Sequence, residues 1–112
     1  MSLEGAPAGE AGVFAALGDA MRLAMVARLS AQGPLPTIAL TAGTGLTRQA
    51  VTKHLRVLEE AGLVRSSRVG RDRAWRVEVA RLAEARAYLD RISAQWDARV
   101  ERLRAFVEAG DG

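Results

Sequence analysis

The 112-residue chain predicts a mainly helical domain that carries one small β-hairpin and ends in a long C-terminal helix. Three observations predict this. Apolar residues recur at helical spacing in the first half of the chain and again over residues 81–107. Between them, the runs LVRSSRV and RAWRVEV are rich in β-forming residues and flank Gly70-Arg71-Asp72, which reads as a hairpin turn. The segment 81–107 has no internal Gly or Pro, so nothing local interrupts it. The length suits one domain with a single modest core.

Met1 to Gly12 is small, Gly-rich and without periodicity, and is read as a flexible N-terminal segment; the folded domain is placed at 13–109. A short first helix is expected at about 13–18, presenting Phe14 and Leu17 and stopping near Gly18. Asp19 can N-cap a second helix to about Gln32, with Leu23, Val26 and Leu29 inward, Arg22 and Arg28 outward, and Gly33-Pro34 as the stop. Pro36 suits the first turn of a short third helix that takes its apolar contacts from Ile38 and Leu40. Gly43 and Gly45 then supply a sharp turn. Thr47 is a good N-cap for the fourth helix, Leu46 can staple onto Val51, and Gly62 ends it. In that helix Val51, Leu55 and Leu58 form one stripe. In the second hairpin strand Trp75, Val77 and Val79 are expected on one face.

Charge is unevenly placed. The net charge is +3, yet residues 48–76 hold eight cations against Glu59, Glu60 and Asp72, so this stretch alone is +5. Such an asymmetry marks an electrostatic footprint for a polyanion, or a solvated basic face. Placed at 100° per residue, Arg48, Gln49, Thr52, Lys53 and Arg56 fall within an arc of about 140°, beside the apolar stripe. One face is thus committed to a core. The other carries donors that match DNA: Arg for guanine, Gln for adenine, the Thr methyl for thymine and Lys for phosphate. A short helix and glycine turn precede this helix at helix-turn-helix spacing. The hairpin after it is tipped by Arg68, Arg71 and Arg73, as a wing against phosphates would be, although arginines also protect exposed strand edges.

These segments, LGDAMRLAMVARL, GLTRQAVTKHLRVLEEAGLV and the turn GRDR, resemble the winged helix-turn-helix repressors of the ArsR/SmtB type over about Phe14 to Val107. The resemblance implies a homodimeric regulator of double-stranded DNA. Its recognition residues would be Thr47, Arg48, Gln49, Thr52, Lys53 and Arg56, with a wing at Arg68 to Arg73 including Arg71. His54 matches the position before the buried Leu of the recognition helix, where bonding to phosphate or backbone outranks metal ligation. Relatives that sense metals use cysteines before the turn, or His and carboxylates on the last helix. Here the corresponding stretch is PTIALTAG, and the last helix offers Asp90, Asp97 and Glu101 without histidine. The chain is therefore similar to a cysteine-free branch without metal sensing, and no cofactor is expected.

In the last helix, Leu82, Ala85, Leu89, Ile92, Trp96, Val100, Leu103 and Val107 form a continuous seam. About 26 residues span roughly 39 Å, more than a domain of radius of gyration near 13 Å can cover alone. A second copy is the simplest partner, with Phe14, Leu17, Leu89, Ile92, Trp96, Val100 and Leu103 in the contact; a helix bent back on its own core is the alternative.

Other functions find less support. Without cysteine and with one histidine, disulfides and thiolate sites are excluded and a transition-metal site has few ligands. No nucleophile, base and oxyanion donors come together, so an enzyme is not expected. A winged helix whose arginines bind an acidic protein stays open as the alternative. A small-molecule effector would have Tyr88, Trp96 and Trp75 available for a pocket, though aromatics at helical spacing serve more often as core. There is no membrane-length apolar run or secretory signal, so a cytoplasmic protein is expected.

Overall fold

The computed structural model describes residues 8–110. In chain order it contains α1 (Ala8–Leu17), α2 (Ala20–Gln32), β1 (Leu35–Pro36), α3 (Thr37–Thr41), α4 (Arg48–Glu60), β2 (Val64–Val69), β3 (Asp72–Val77) and α5 (Val79–Gly110). The strands form one antiparallel sheet in the order β1-β3-β2. The mainly helical class with a hairpin and a long last helix is therefore the architecture found.

The first helix begins at Ala8, inside the segment read as flexible; residues 1–7 of that segment lie outside the described residues. Its glycines lower local helix propensity, and Gly9 leaves room for the Arg81 guanidinium, which would lie 2.6 Å from an added Cβ and would have to shift to admit one. Val13 and Ala16 are the buried residues of α1, and Phe14 and Leu17 pack half-buried at the core edge.

In α2 the inward residues are Met25, Val26 and Leu29; Leu23, expected inward, is exposed. The inward arc is rotated because Arg22 turns in: its Nε donates to the Ala16 carbonyl at 2.7 Å. Arg28 is likewise tied down, donating from Nη1 to the Ala39 carbonyl at 2.8 Å. Asp19 caps the helix as expected, accepting the Arg22 N–H at 3.0 Å. That hydrogen bond, with the charges of Arg22 and His54, holds the Asp19 carboxyl below its ordinary value of 3.8. A lowered carboxyl contributes stability above its unfolded value and loses it as pH falls through the folded one. Melting temperature is therefore expected to fall between about pH 5 and pH 3, and to fall less in Asp19→Asn, which keeps the cap acceptor without titrating. Equal pH slopes for the two proteins would contradict this.

Strand β1 escapes sequence reading because it has two residues, one of them proline. Pro36 has no N–H to give, which suits a sheet edge, and pairs opposite Ala74 while Leu35 pairs opposite Trp75. Pro36 serves as the N-cap residue of α3 rather than its first turn. In α3 Leu40 is buried, but Ile38 is 66% exposed and supplies no core contact.

Helix α4 follows the expected pattern. Val51, Leu55 and Leu58 are fully buried. The chain leaves α4 through Gly62 at φ 80°, with the Leu63 N–H on the Leu58 carbonyl and the Gly62 N–H on that of Glu59, a Schellman closure joined by two buried leucines. In the hairpin, Val69 pairs opposite Asp72, so the loop is Gly70-Arg71 alone, with Gly70 at φ 61° taking the left-handed position that such a tight turn needs. Trp75 is fully buried, and its indole Nε1 donates to the Thr37 hydroxyl at 2.9 Å. Val79 does not continue the strand face: β3 ends at Val77, and Val79 opens α5 in an exposed position.

Helix α5 is longer at both ends than residues 81–107. Ala85 is its one buried residue, with Leu82 packed against the core. Beyond Tyr88 it projects from the domain, giving dimensions of 72 × 30 × 24 Å and a radius of gyration of 19.4 Å, against about 13 Å for a closed domain of this size. The rod does not fold back on its own core.

Candidate nucleic-acid interface

The donors on α4 divide into an outward set and a tied set. Thr47 caps the helix through its hydroxyl, which accepts the Ala50 N–H at 3.1 Å. Thr47, Arg48, Gln49 and Lys53 are exposed and Thr52 is half-buried, so the first two turns present one polar face while Val51 and Leu55 anchor the other. With no acidic residue in its first turn, α4 adds the partial positive charge of its N-terminus to that face.

His54 does not join this face. Its Nδ1 lies 3.4 Å from Arg22 Nη1 and 4.0 Å from Asp19 Oδ1, so it ties α4 to the start of α2. Arg56 is turned toward the hairpin: Nη1 bonds Glu59 at 2.9 Å and the guanidinium carbon lies 5.6 Å from the Trp75 ring centre. Glu59 accepts the Ser66 hydroxyl at 3.2 Å, and that hydroxyl accepts Arg73 Nη1 at 3.0 Å. Arg56, Glu59, Ser66 and Arg73 thus form a polar chain that fixes the angle between α4 and the hairpin. On the wing, Arg68 curls over the turn, its Nε 3.4 Å from the Gly70 carbonyl, and Arg71 is exposed at the tip.

Asp72, expected in the hairpin turn and as one of three anions among the cations, instead opens β3 and is a junction. It accepts Arg48 Nη2 at 2.9 Å, its own neighbour's N–H from Arg73 at 2.6 Å, and the Ile38 N–H at 3.3 Å. Burial pushes its carboxyl up, but the Arg73 N–H, the Thr37 hydroxyl, the Ile38 N–H and Arg48 outweigh this and leave it below the ordinary value. It therefore faces the site as a carboxylate. The opposite end of the hairpin is neutralised differently, with Arg65 and Arg76 both paired to Glu78, so the +5 of residues 48–76 is not spread evenly over the surface.

The aromatic trio does not gather in one protomer. Trp75 is core, Tyr88 lies 6.1 Å from Phe14 with Arg91 over its ring, and Trp96 stands 63% exposed on the projecting rod. Among the described residues, no three His, Asp and Glu side chains cluster as metal ligands would, and no helix is long and apolar enough to cross a membrane.

A short helix, a glycine turn, a second helix with its donors outward and a three-stranded wing sheet define a winged helix-turn-helix DNA-binding protein. Residues 17–67 match the helix-turn-helix domain family. The chain is 43% identical over 67 residues to the HTH-type transcriptional regulator YuzN of Bacillus subtilis, covering 54% of this chain and 73% of that protein. It superposes on an ArsR-like transcriptional regulator from Rhodococcus sp. RHA1 with a TM-score of 0.77 at 35% identity, covering 88% of this chain and 92% of that one. A homodimeric winged helix-turn-helix DNA-binding domain from Mycobacterium bovis matches with a TM-score of 0.59 at 26% identity, over 78% of this chain and 80% of that one. The chain belongs to the ArsR family of winged helix-turn-helix transcriptional regulators, DNA-binding proteins and not enzymes.

Proposed function

We propose that this regulator is a homodimeric repressor that reads a short inverted repeat by placing α4 of each protomer in successive major grooves. The observation that carries the reading is the outward set Arg48, Gln49 and Lys53 on a helix whose opposite face is locked by Val51, Leu55 and Leu58. Thr47 and Thr52 flank the base edges, and Arg68 and Arg71 reach the neighbouring backbone. His54, Arg56 and Arg73 serve the site by holding α4 against α2 and the wing. The unpartnered seam of α5 supports the pairing that would set two reading helices about 34 Å apart. Repression is what the family resemblance implies.

The test is a mobility-shift titration of the purified protein on the genomic fragments it captures. Arg48→Ala and Gln49→Ala are each expected to lose about 1 to 3 kcal/mol of binding to the captured site. Affinity should fall by orders of magnitude between about 50 and 200 mM salt if six or more phosphates are neutralised. Full binding by both variants, or salt-independent binding, would reject the assignment.

A further inference from the structure

We infer that Asp72 is a specificity-determining positioning residue, holding Arg48 in one orientation for guanine while weakening attachment to DNA of any other sequence. This rests on the reading of α4 as the DNA-reading helix and adds a role to a residue outside that helix.

Arg48 opens α4, and its side chain is 56% exposed, so on an isolated helix it would spread over many rotamers. Asp72 removes that freedom through a single contact, Oδ1 to Nη2 at 2.9 Å. Asp72 is itself fixed, since its two oxygens accept N–H groups from Arg73 in the wing and Ile38 in α3. The carboxylate therefore transmits the position of two other elements to the Arg48 guanidinium. A guanidinium has five N–H donors, and the bond to Asp72 occupies one edge. Enough remain for the pair of bonds that guanine O6 and N7 accept in the major groove.

The energetics differ between sequences. At a guanine, Arg48 keeps its carboxylate partner and gains two acceptors without a further loss of rotamer freedom. At another base, Arg48 gains little while the charge of Asp72, beside the duplex, repels phosphate. The same residue thus adds discrimination and subtracts general affinity. A merely structural residue would do neither selectively.

The experiment compares full-length wild type, Asp72→Asn, Arg48→Ala and the double variant at one salt concentration. Each is titrated on the captured operator, on operators substituted singly at every guanine, and on an unrelated duplex. Asp72→Asn loses the charge and keeps one acceptor oxygen, enough for the Arg73 N–H of the wing, while the Ile38 N–H loses its acceptor. It is expected to bind the unrelated duplex several-fold more tightly, and to reduce discrimination at one guanine by about tenfold. In the Arg48→Ala background, the same change should leave discrimination unaltered. Should Asp72→Asn fail to fold by circular dichroism, Asp72→Glu carries the test, because it keeps the charge but moves the carboxylate by one methylene; it should lose the guanine preference without binding the unrelated duplex more tightly. An equal loss on all duplexes from Asp72→Asn, or an unchanged preference, overturns the inference and leaves the α4 reading standing. Full operator binding by Arg48→Ala overturns both.

Discussion

Trp75→Ala is expected to cost about 3 to 5 kcal/mol of folding stability, a large part of the total of a domain this size. The indole is fully buried where the wing sheet meets the helices, with β1 on one side through Leu35 and the Arg56 guanidinium above its ring. Truncation leaves a large cavity and removes the hydrogen bond to the buried Thr37 hydroxyl. Because the hairpin is docked through this residue, the wing and the Arg56–Glu59–Ser66–Arg73 chain should loosen with it. Denaturant unfolding followed by circular dichroism measures the loss. Trp75→Phe separates the two components, since it keeps most of the apolar volume and removes the donor, and it should cost markedly less. A Trp75→Ala protein within about 1 kcal/mol of wild type would show that the sheet is not anchored there.

The second large effect concerns assembly. Trp96→Asp combined with Leu103→Asp is expected to leave a folded monomer with operator affinity reduced by orders of magnitude. Both side chains lie beyond the domain core, so folding does not depend on them, whereas each large apolar group covered by a partner contributes about 1.5 to 3 kcal/mol. The seam is symmetric about Trp96: Leu89 and Ile92 lie seven and four residues before it, Val100 and Leu103 four and seven after. Two rods running in opposite directions across a two-fold axis at Trp96 would match Leu89 with Leu103 and Ile92 with Val100. The chain has no cysteine, so Leu89→Cys and Leu103→Cys proteins, mixed and oxidised, report on this pairing directly. A crosslink in the mixture with little in either variant alone is expected. Sedimentation of the wild-type chain as a monomer at micromolar concentration would refute the dimer, and crosslinks within each variant alone would refute the opposed direction.

What the sequence made legible was local chemistry. Asp19 and Thr47 are capping side chains, Gly33 and Gly62 take conformations that few other residues adopt, and Val51, Leu55 and Leu58 follow from helical period alone. The outward direction of Arg48, Gln49 and Lys53 follows from the same period. What stayed hidden depends on how elements meet. Leu23 and Ile38 face solvent because Arg22 and Thr37 take the inward positions through bonds to residues outside their own helices. Gly9 in α1 lies beside the Arg81 guanidinium, 72 residues away in the chain, a closeness that no local pattern announces. In the same way, Arg56 and Arg73 read as surface donors until the register of β2 on β3 brings Ser66 between them, and Asp72 reads as a stray anion until α3, α4 and the wing converge on it.

Helix α5 carries no glycine or proline between Val79 and Ala109, so it behaves as a stiff beam with few internal hinges. If the two beams cross at Trp96, the arm from that pivot back to the domain is about 26 Å long. A change of crossing angle by about 10° would swing the domain end by about 4.5 Å, more than the rise of about 3.4 Å per base step. Leverage of this kind lets a small disturbance at the pivot move both heads out of phase with the duplex.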